Sequence, residues 1–153
     1  MNGLNPATLL RAAGFDLGKS SAKLVVVRST PKGVEVDRSE LVEHGGEPLE
    51  AFRQLCVRAN FGAWESLGVT GLYGDQIAAP AMAGLPEAAC LESGLELFPH
   101  LPKSLNLLSI GARGYSALSR NEFGQVRQLE NDKCSSGTGE TMVKAAARFG
   151  LSI

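Results

Sequence analysis

The first half of the chain alternates apolar and polar residues in the manner of a partly buried sheet. A strand broken by a turn at Gly14–Gly18 leads into the β-branched run Ala22–Val27, which predicts a strand. After a turn at Ser29–Gly33, the segment Val34–Glu43 predicts the second strand of a β-hairpin. Pro48–Phe61 places apolar residues at helical spacing and predicts an amphipathic helix.

The second half predicts further strands and helices of similar length. Gly150 is expected to be the C′ residue of the last helix. The predicted elements are a short strand Leu67–Thr70, helix or loop over Ile77–Gly84, a helix Glu87–Phe98, a buried strand Asn106–Gly111, a hairpin of Tyr115–Arg120 with Gln125–Leu129, and a helix Ser136–Phe149. Residues 1–13 are expected to be an N-terminal leader, with a helical turn over Pro6–Ala12. The order of these elements predicts a mixed α/β domain over residues 14–153.

Composition narrows the function classes. The 153 residues suit about one domain, and 15 basic residues against 16 acidic ones argue against a nucleic-acid partner. Three widely spaced cysteines, Cys56, Cys90 and Cys134, form neither a disulfide framework nor a Cys-x-x-Cys metal site, which fits a cytoplasmic protein. No apolar run reaches the length of a membrane span, and the N-terminus lacks a signal-peptide pattern, so no membrane partner is expected.

The stretch Asn131–Gly139, which reads Asn-Asp-Lys-Cys-Ser-Ser-Gly-Thr-Gly, carries the strongest chemical signal. It places Cys134 just before a Gly-Thr-Gly turn that opens the last predicted helix. A thiolate at a helix N-terminus is stabilised by the helix dipole and by free N–H groups. A glycine-rich turn that leads into a helix can also hold an anion. The alternative is a capped helix start with a small buried cysteine.

This nonapeptide closely resembles the Asn-Asp-Lys-Cys-Ala-Ala-Gly-Thr-Gly signature of one ATPase family. That family comprises the activators of 2-hydroxyacyl-CoA dehydratases and the related ATPase subunits of benzoyl-CoA reductase. The resemblance implies an actin-like ATPase fold (ribonuclease-H-like), with a mixed sheet and flanking helices. It further implies ATP with Mg²⁺, and one [4Fe–4S] cluster held by Cys134 between two identical subunits. ATP turnover would then drive an electron onto an acyl-CoA dehydratase or reductase component.

Asp16–Ser21 resembles the first phosphate loop of the same superfamily, in which Asp-x-Gly-Ser-Thr is common. A turn with glycine and hydroxyl residues between two strands can offer several backbone N–H groups to a phosphate. Asp16, the candidate catalytic residue, would orient a hydrated Mg²⁺. Lys23 matches a position that is often lysine in the activators, or is a solvent-facing strand residue. The predicted nucleotide-binding residues in this loop are Gly18, Lys19, Ser20 and Ser21.

The second phosphate loop departs from the family pattern. Ser109–Gly114 stands where the activators read approximately Asp-Ile-Gly-Gly-Gln-Asp, so Gly111 is kept and both acidic residues are missing. Serine cannot replace the charge of an aspartate that places a metal and the attacking water, and losing one such charge can cost several kcal/mol of transition-state stabilisation. Arg113 would attract phosphate without promoting hydrolysis, or is a surface residue.

Two further segments resemble the family in part. Val69–Gly74 resembles its Thr-Gly-Tyr-Gly segment with Leu72 inserted, and Glu87–Cys90 resembles a Glu-Ile-x-x-His stretch without the histidine. Cys56 and Cys90 are expected in the core rather than as ligands. His44 and His100 lie in loops without a cysteine or carboxylate at metal-ligand spacing, and no role is predicted for them.

The resemblance covers about the first half of an activator. A [4Fe–4S] cluster takes four ligands, usually all cysteine, and in the activators the second cysteine of each subunit follows the Gly-Thr-Gly motif at some distance. This chain ends at Ile153, so we expect either a fragment or a partner chain that supplies the second subdomain and the remaining ligands.

Three functional hypotheses follow. The first is the N-terminal part of an ATP-dependent iron–sulfur activator, in which Asp16 and its loop bind phosphate and Mg²⁺, Cys134 binds the cluster, and the cradle is completed by Gly111, Gly137, Thr138 and Gly139. The second is a non-hydrolysing member that serves as a binding or assembly module, favoured by the missing acidic residues. The third is a sugar- or acyl-kinase relative, which accounts for the Asp-x-Gly loop but not for the nonapeptide.

Overall fold

The computed structural model describes residues 11–59, 66–77, 82–111, 114–130 and 138–152. The chain divides into two units, Met1–Cys90 and Leu91–Ile153. The N-terminal unit contains β1 (Arg11–Leu17), β2 (Ser21–Thr30), β3 (Gly33–Glu43), α1 (Pro48–Ala59), β4 (Ser66–Thr70), α2 (Gly74–Ile77) and β5 (Ala83–Gly84). Helix α3 (Glu87–Leu95) begins in this unit and ends in the next. The C-terminal unit continues with β6 (Leu105–Ile110), β7 (Tyr115–Arg120), β8 (Val126–Glu130) and α4 (Thr138–Arg148).

The N-terminal unit is built on a sheet with the strand order β3-β2-β1-β4-β5. The first three strands form an antiparallel meander, whereas β4 runs parallel to β1 and β5 runs parallel to β4. The carboxyl ends of β1 and β4 therefore lie side by side at one edge of the sheet, with Asp16 paired to Thr70. Ligands of open α/β sheets bind at such an edge.

Side chains along β1 point alternately into the hydrophobic core and toward the opposite face of the sheet, which carries Asp16. Phe15 and Leu17 of β1 are buried, and Phe15 meets Phe52 of α1 edge-on with 4.9 Å between ring centroids. The same core includes Ala13, Ala22, Leu24, Val26, Ala51, Leu55, Ala59 and Val69. Each fully buried Phe, Leu or Val side chain contributes roughly 1.5–3 kcal/mol. Because side chains alternate along a strand, Asp16 lies on the opposite face from this core.

The predictions for the N-terminal unit are confirmed for the hairpin and for the helix that follows it. Helix α1 buries Leu55 and Ala59, as its period predicts, but Leu49 is 52% exposed and Ala51 is buried instead. Strand β1 already begins at Arg11, so the helical turn predicted over Pro6–Ala12 is wrong at Arg11 and Ala12. The rest of the predicted leader lies outside the described residues.

The C-terminal unit contains an antiparallel meander in the order β6-β7-β8. The predicted hairpin is confirmed, and its turn is closed by Asn121, whose Oδ1 accepts the backbone N–H groups of Phe123 and Gln125. The strand predicted over Asn106–Gly111 is confirmed as β6, but its predicted burial is wrong, because Leu108 is 59% and Ile110 is 43% exposed. The run Leu107–Leu108 places one leucine on each face of β6, and only the Leu107 side is partly buried.

The last two helices agree with the sequence pattern within a few residues. Helix α3 ends at Leu95, three residues before the predicted end. Helix α4 closes with a Schellman motif, in which Leu151 N–H bonds the Ala146 carbonyl and Gly150 N–H bonds the Ala147 carbonyl. Gly150 has a φ of +68° and is the predicted C′ residue. Within the described ranges, no helix is long and apolar enough to cross a membrane.

Cys56 lies on the partly buried side of α1 and provides a test of this packing. Burial raises the pKa of the Cys56 thiol from 9.0 to about 11, against the opposing effect of a backbone hydrogen bond. From pH 9 to pH 11 the folded chain keeps a proton that the unfolded chain has released, so the free energy of unfolding should fall as pH rises through this window. Urea unfolding should show a weaker decline in Cys56→Ala than in the unsubstituted chain. Equal slopes in the two proteins would contradict the burial of this thiol.

Candidate phosphate-binding site

In the turn between β1 and β2, four of the five carbonyl groups of Leu17–Ser21 accept hydrogen bonds from the chain itself. The Leu17 carbonyl accepts the Tyr73 N–H at 3.0 Å, and the Ser21 carbonyl accepts the Gly18 N–H at 3.0 Å. Two more bonds come from one residue, His44. Its ring Nε2 lies 3.0 Å from the Gly18 carbonyl oxygen, and its backbone N–H donates to the Ser20 carbonyl at 3.2 Å. Four carbonyl groups of this short turn are thus satisfied by the chain itself.

Two N–H groups of the same turn remain free. The amides of Lys19 and Ser20 donate no hydrogen bond to the described part of the chain, and both residues are exposed. Consecutive free backbone N–H groups in a turn can form an anion-binding concavity. The predicted residues therefore share one turn, whose two free amides can donate hydrogen bonds to a phosphate. These residues are Gly18, Lys19, Ser20 and Ser21.

Asp16 lies beside this turn on the face away from the core. Its Oδ2 is 2.6 Å from Lys23 Nζ, which is its register partner on β2. The two side chains are 36% and 46% exposed, so this ion pair contributes at most about 1 kcal/mol and can be exchanged for other partners. On the other side, Asp16 pairs with Thr70 of β4. The Thr70 hydroxyl oxygen is buried and has no hydrogen-bond partner among the described residues.

Gly71 allows the turn after β4 to approach Asp16 closely. Its φ is +90°, a conformation that favours glycine. A Cβ atom at this position would lie 2.5 Å from Asp16 Oδ1 and 2.7 Å from the backbone N and C of Leu17. No side chain fits there without displacing the carboxylate or the end of β1. The Thr-Gly part of the Thr-Gly-Tyr-Gly resemblance thus has a steric basis.

His44 is the site residue that the sequence did not reveal. It is 7% exposed, and it follows β3 in a loop that reaches α1 through Gly45 and Gly46, with φ values of +54° and +102°. The sequence offered only a histidine before two glycines, in a loop with no metal-ligand spacing. Its partners lie 26 residues away along the chain, and only the folded sheet brings them together.

The second predicted loop lies in the C-terminal unit. Gly111 N–H donates to the Gly114 carbonyl at 2.8 Å, and Gly139 N–H donates to the Gly111 carbonyl at 3.2 Å. The structure therefore brings together Gly111 and Gly139, two of the predicted cradle residues, at the start of α4. Thr138 is the first residue of that helix. Arg113, Cys134 and Gly137 lie outside the described residues.

The described residues do not supply a site for an iron–sulfur cluster. Such a cluster takes four ligands, usually thiolates. Cys56 and Cys90 are free and half-buried, and the raised pKa of Cys56 leaves little thiolate at neutral pH. Across the ranges that the structure describes, no three His, Cys, Asp or Glu side chains are grouped as metal ligands.

Solved structures share this architecture, although no family model and no curated protein sequence matches the chain. The activator of the 2-hydroxyisocaproyl-CoA dehydratase from Clostridium difficile, with bound ADPNP, matches with a TM-score of 0.71 and 22% identity over 94% of this chain and 53% of its own. Component A of the (R)-2-hydroxyglutaryl-CoA dehydratase from Acidaminococcus fermentans matches with a TM-score of 0.73 and 18% identity over 94% of this chain and 55% of its own. An exopolyphosphatase from Cytophaga hutchinsonii matches with a TM-score of 0.58 and 12% identity over 78% of this chain and 50% of its own.

These likenesses show the fold. The chain has the actin-like ATPase fold, a mixed α/β structure, and it spans about half the length of each of these proteins. The resemblance to dehydratase activators, expected from the nonapeptide, is confirmed by two structural neighbours of that kind.

The contact between Gly71 and Asp16 leads to a mutational prediction. Gly71→Ala should lower the free energy of unfolding by more than the roughly 1–3 kcal/mol of a strained φ, because the new methyl group also meets Asp16 and Leu17. Gly46→Ala is the matched control, since Gly46 also has a positive φ but no atom within 4 Å of the added Cβ. Urea unfolding of both variants measures the difference. Equal destabilisation would contradict the close approach at Gly71.

Proposed function

We propose that this chain is part of an ATP-dependent activator of an acyl-CoA dehydratase or reductase, and that its N-terminal unit binds the phosphates of Mg·ATP. The observation that carries the proposal is the turn Leu17–Ser21, in which four of the five carbonyl groups accept hydrogen bonds from the chain while the amides of Lys19 and Ser20 are free. The dehydratase partner is proposed from the likeness to two activators, one of which holds ADPNP.

In this proposal, each group beside the turn has a distinct part. The free amides and the exposed Lys19 would bind phosphate oxygens, which bear the negative charge of the nucleotide. Lys23 is within reach of the same region and would neutralise phosphate once it leaves Asp16. Both roles need only small movements of exposed side chains.

Asp16 and Thr70 fit a hydrated Mg²⁺ ion. Magnesium binds proteins through few carboxylates and keeps several waters. Asp16 offers a partly exposed carboxylate, and the buried Thr70 hydroxyl has no partner in the described part of the chain, so it can bond a metal-bound water. When bound, the ion neutralises charge on the phosphates. Asp16 would orient it, and Thr70 would bond a water of its shell.

A second candidate function is a nucleotide-binding module that does not hydrolyse ATP. Ser109 lies in β6 opposite Ser116, and neither carries a charge. The Gly114 carbonyl is already bonded to the Gly111 amide. The sequence of Ser109–Gly114 contains no carboxylate that would orient an attacking water, so this loop favours slow turnover.

The iron–sulfur part of the activator hypothesis rests on the nonapeptide around Cys134. A homodimer that shares a [4Fe–4S] cluster through Cys134 stays a prediction of that motif, as does a further chain that supplies the second subdomain. Since the described residues do not fit a cluster, the proposed function contains no step through one.

Nucleotide binding tests the assignment of Asp16. Asp16→Asn should weaken the binding of Mg·ADPNP by about tenfold or more, while ADPNP binding in EDTA stays nearly unchanged, because only the metal-dependent part is lost. Asp37→Asn is the matched control, since Asp37 forms a similar partly exposed ion pair with Arg11. Calorimetric titration gives all of these affinities.

The affinities of the two variants show whether Asp16 has the proposed role. Equal losses in the two variants, or binding by the unsubstituted chain that does not depend on Mg²⁺, would contradict the role of Asp16. Phosphate release from ATP by the unsubstituted chain distinguishes the two candidates: turnover supports the activator, and tight binding without turnover supports the non-hydrolysing module.

A further inference from the structure

We propose that His44 is the positioning residue of the phosphate-binding turn, and that its Nε2–H sets the direction of the Lys19 amide. This inference rests on the proposed function and goes beyond it, because it assigns a role to a residue outside the predicted phosphate loops. His44 lies in the loop between β3 and α1, and it touches the phosphate-binding turn with both its ring and its backbone.

The hydrogen bonds of His44 define its tautomer. Gly46 N–H donates to Nδ1 at 3.1 Å, so Nδ1 carries a lone pair and no proton. The ring proton therefore lies on Nε2, which is 3.0 Å from the Gly18 carbonyl oxygen and donates to it. Both ring nitrogens are used, as expected for a histidine that is 7% exposed.

This donation orients the Lys19 amide through the peptide plane. The Gly18 carbonyl and the Lys19 N–H belong to one planar trans peptide, so they point in opposite directions. Holding the carbonyl toward His44 directs the Lys19 N–H away from the protein, where a phosphate oxygen can accept it. If the peptide rotated, the carbonyl oxygen would face the phosphate instead and repel it.

Several contacts fix His44 in this position. Its backbone N–H holds the Ser20 carbonyl, and its own carbonyl accepts the Glu47 N–H at 2.8 Å just before α1. The ring meets Tyr73 edge-on, with 5.9 Å between centroids, and the Tyr73 N–H bonds the Leu17 carbonyl. His44 thus joins the turn after β1, the start of α1 and the turn after β4.

Two substitutions of His44, by glutamine and by asparagine, each keep only one of the two hydrogen bonds that the ring makes. In His44→Gln the side-chain NH₂ reaches the place of Nε2 and can still donate to Gly18. In His44→Asn the shorter side chain reaches only the place of Nδ1, so it can accept from Gly46 but leaves the Gly18 carbonyl unpaired. Each variant loses one ring hydrogen bond, and similar thermal stabilities are expected.

The affinities for Mg·ADPNP should nevertheless differ. We expect His44→Gln to bind within about threefold of the unsubstituted chain, and His44→Asn to bind about tenfold more weakly or worse, because an unpaired Gly18 carbonyl can turn toward the phosphate. Calorimetric titration of the whole chain measures both. Equal affinities in all three proteins would overturn the role of His44 and leave the proposed function standing. No binding by the unsubstituted chain would overturn both.

One further measurement uses the unsubstituted chain, so it remains valid even if a substituted chain does not fold. Long-range proton–nitrogen NMR of the imidazole should show His44 protonated at Nε2 alone, both free and with Mg·ADPNP. A ring protonated at Nδ1 would overturn the inference, because it could not accept from Gly46 and donate to Gly18 at once.

Discussion

The parallel pairing of β1 with β4 is the constraint on which the candidate site depends. It places the carboxyl ends of two strands together, so that Asp16, Thr70 and the turn at Gly71 meet at one edge of the sheet. The pairing tolerates no Cβ at position 71, where the backbone of Leu17 and the Asp16 carboxylate already fill the space. The core on the opposite face of the sheet stabilises this arrangement through Phe15, Leu17 and Val69.

The turn that follows β1 derives its chemistry from how its polar groups are satisfied. A short turn with unpaired carbonyls would present mixed charge to a ligand, and phosphate would be repelled by part of it. Here Tyr73, His44 and Gly18 occupy four of the five carbonyls, which leaves the amides of Lys19 and Ser20 and the Lys19 carbonyl free of partners within the described residues. In the proposed function, a preference for anions would come from these bonds on the protein side of the turn, which keep four carbonyl oxygens away from the ligand.

Part of the fold and of the candidate site could be predicted from local sequence, and part could not. The hairpins, α1 and the C′ glycine of α4 follow from short-range patterns, and the nonapeptide around Cys134 indicated the fold. The role of His44 could not be predicted, because its partner Gly18 is 26 residues away and a loop histidine has no periodic signal. The exposure of Leu108 could not be predicted either, because an apolar run does not show which faces of a strand are covered. The structure does place the predicted residues of the first loop in one turn region, namely Asp16, Gly18, Lys19, Ser20 and Ser21. Nucleotide binding by any of them stays a prediction.

Proton–nitrogen NMR of the whole chain shows directly whether the free amides of the turn Leu17–Ser21 bind phosphate. During titration with Mg·ADPNP, we expect the amide signals of Lys19 and Ser20 to shift strongly downfield, because these amides form new hydrogen bonds to phosphate oxygens. Nucleotide binding that leaves both signals unmoved would contradict phosphate binding by this turn and would place the nucleotide elsewhere on the protein.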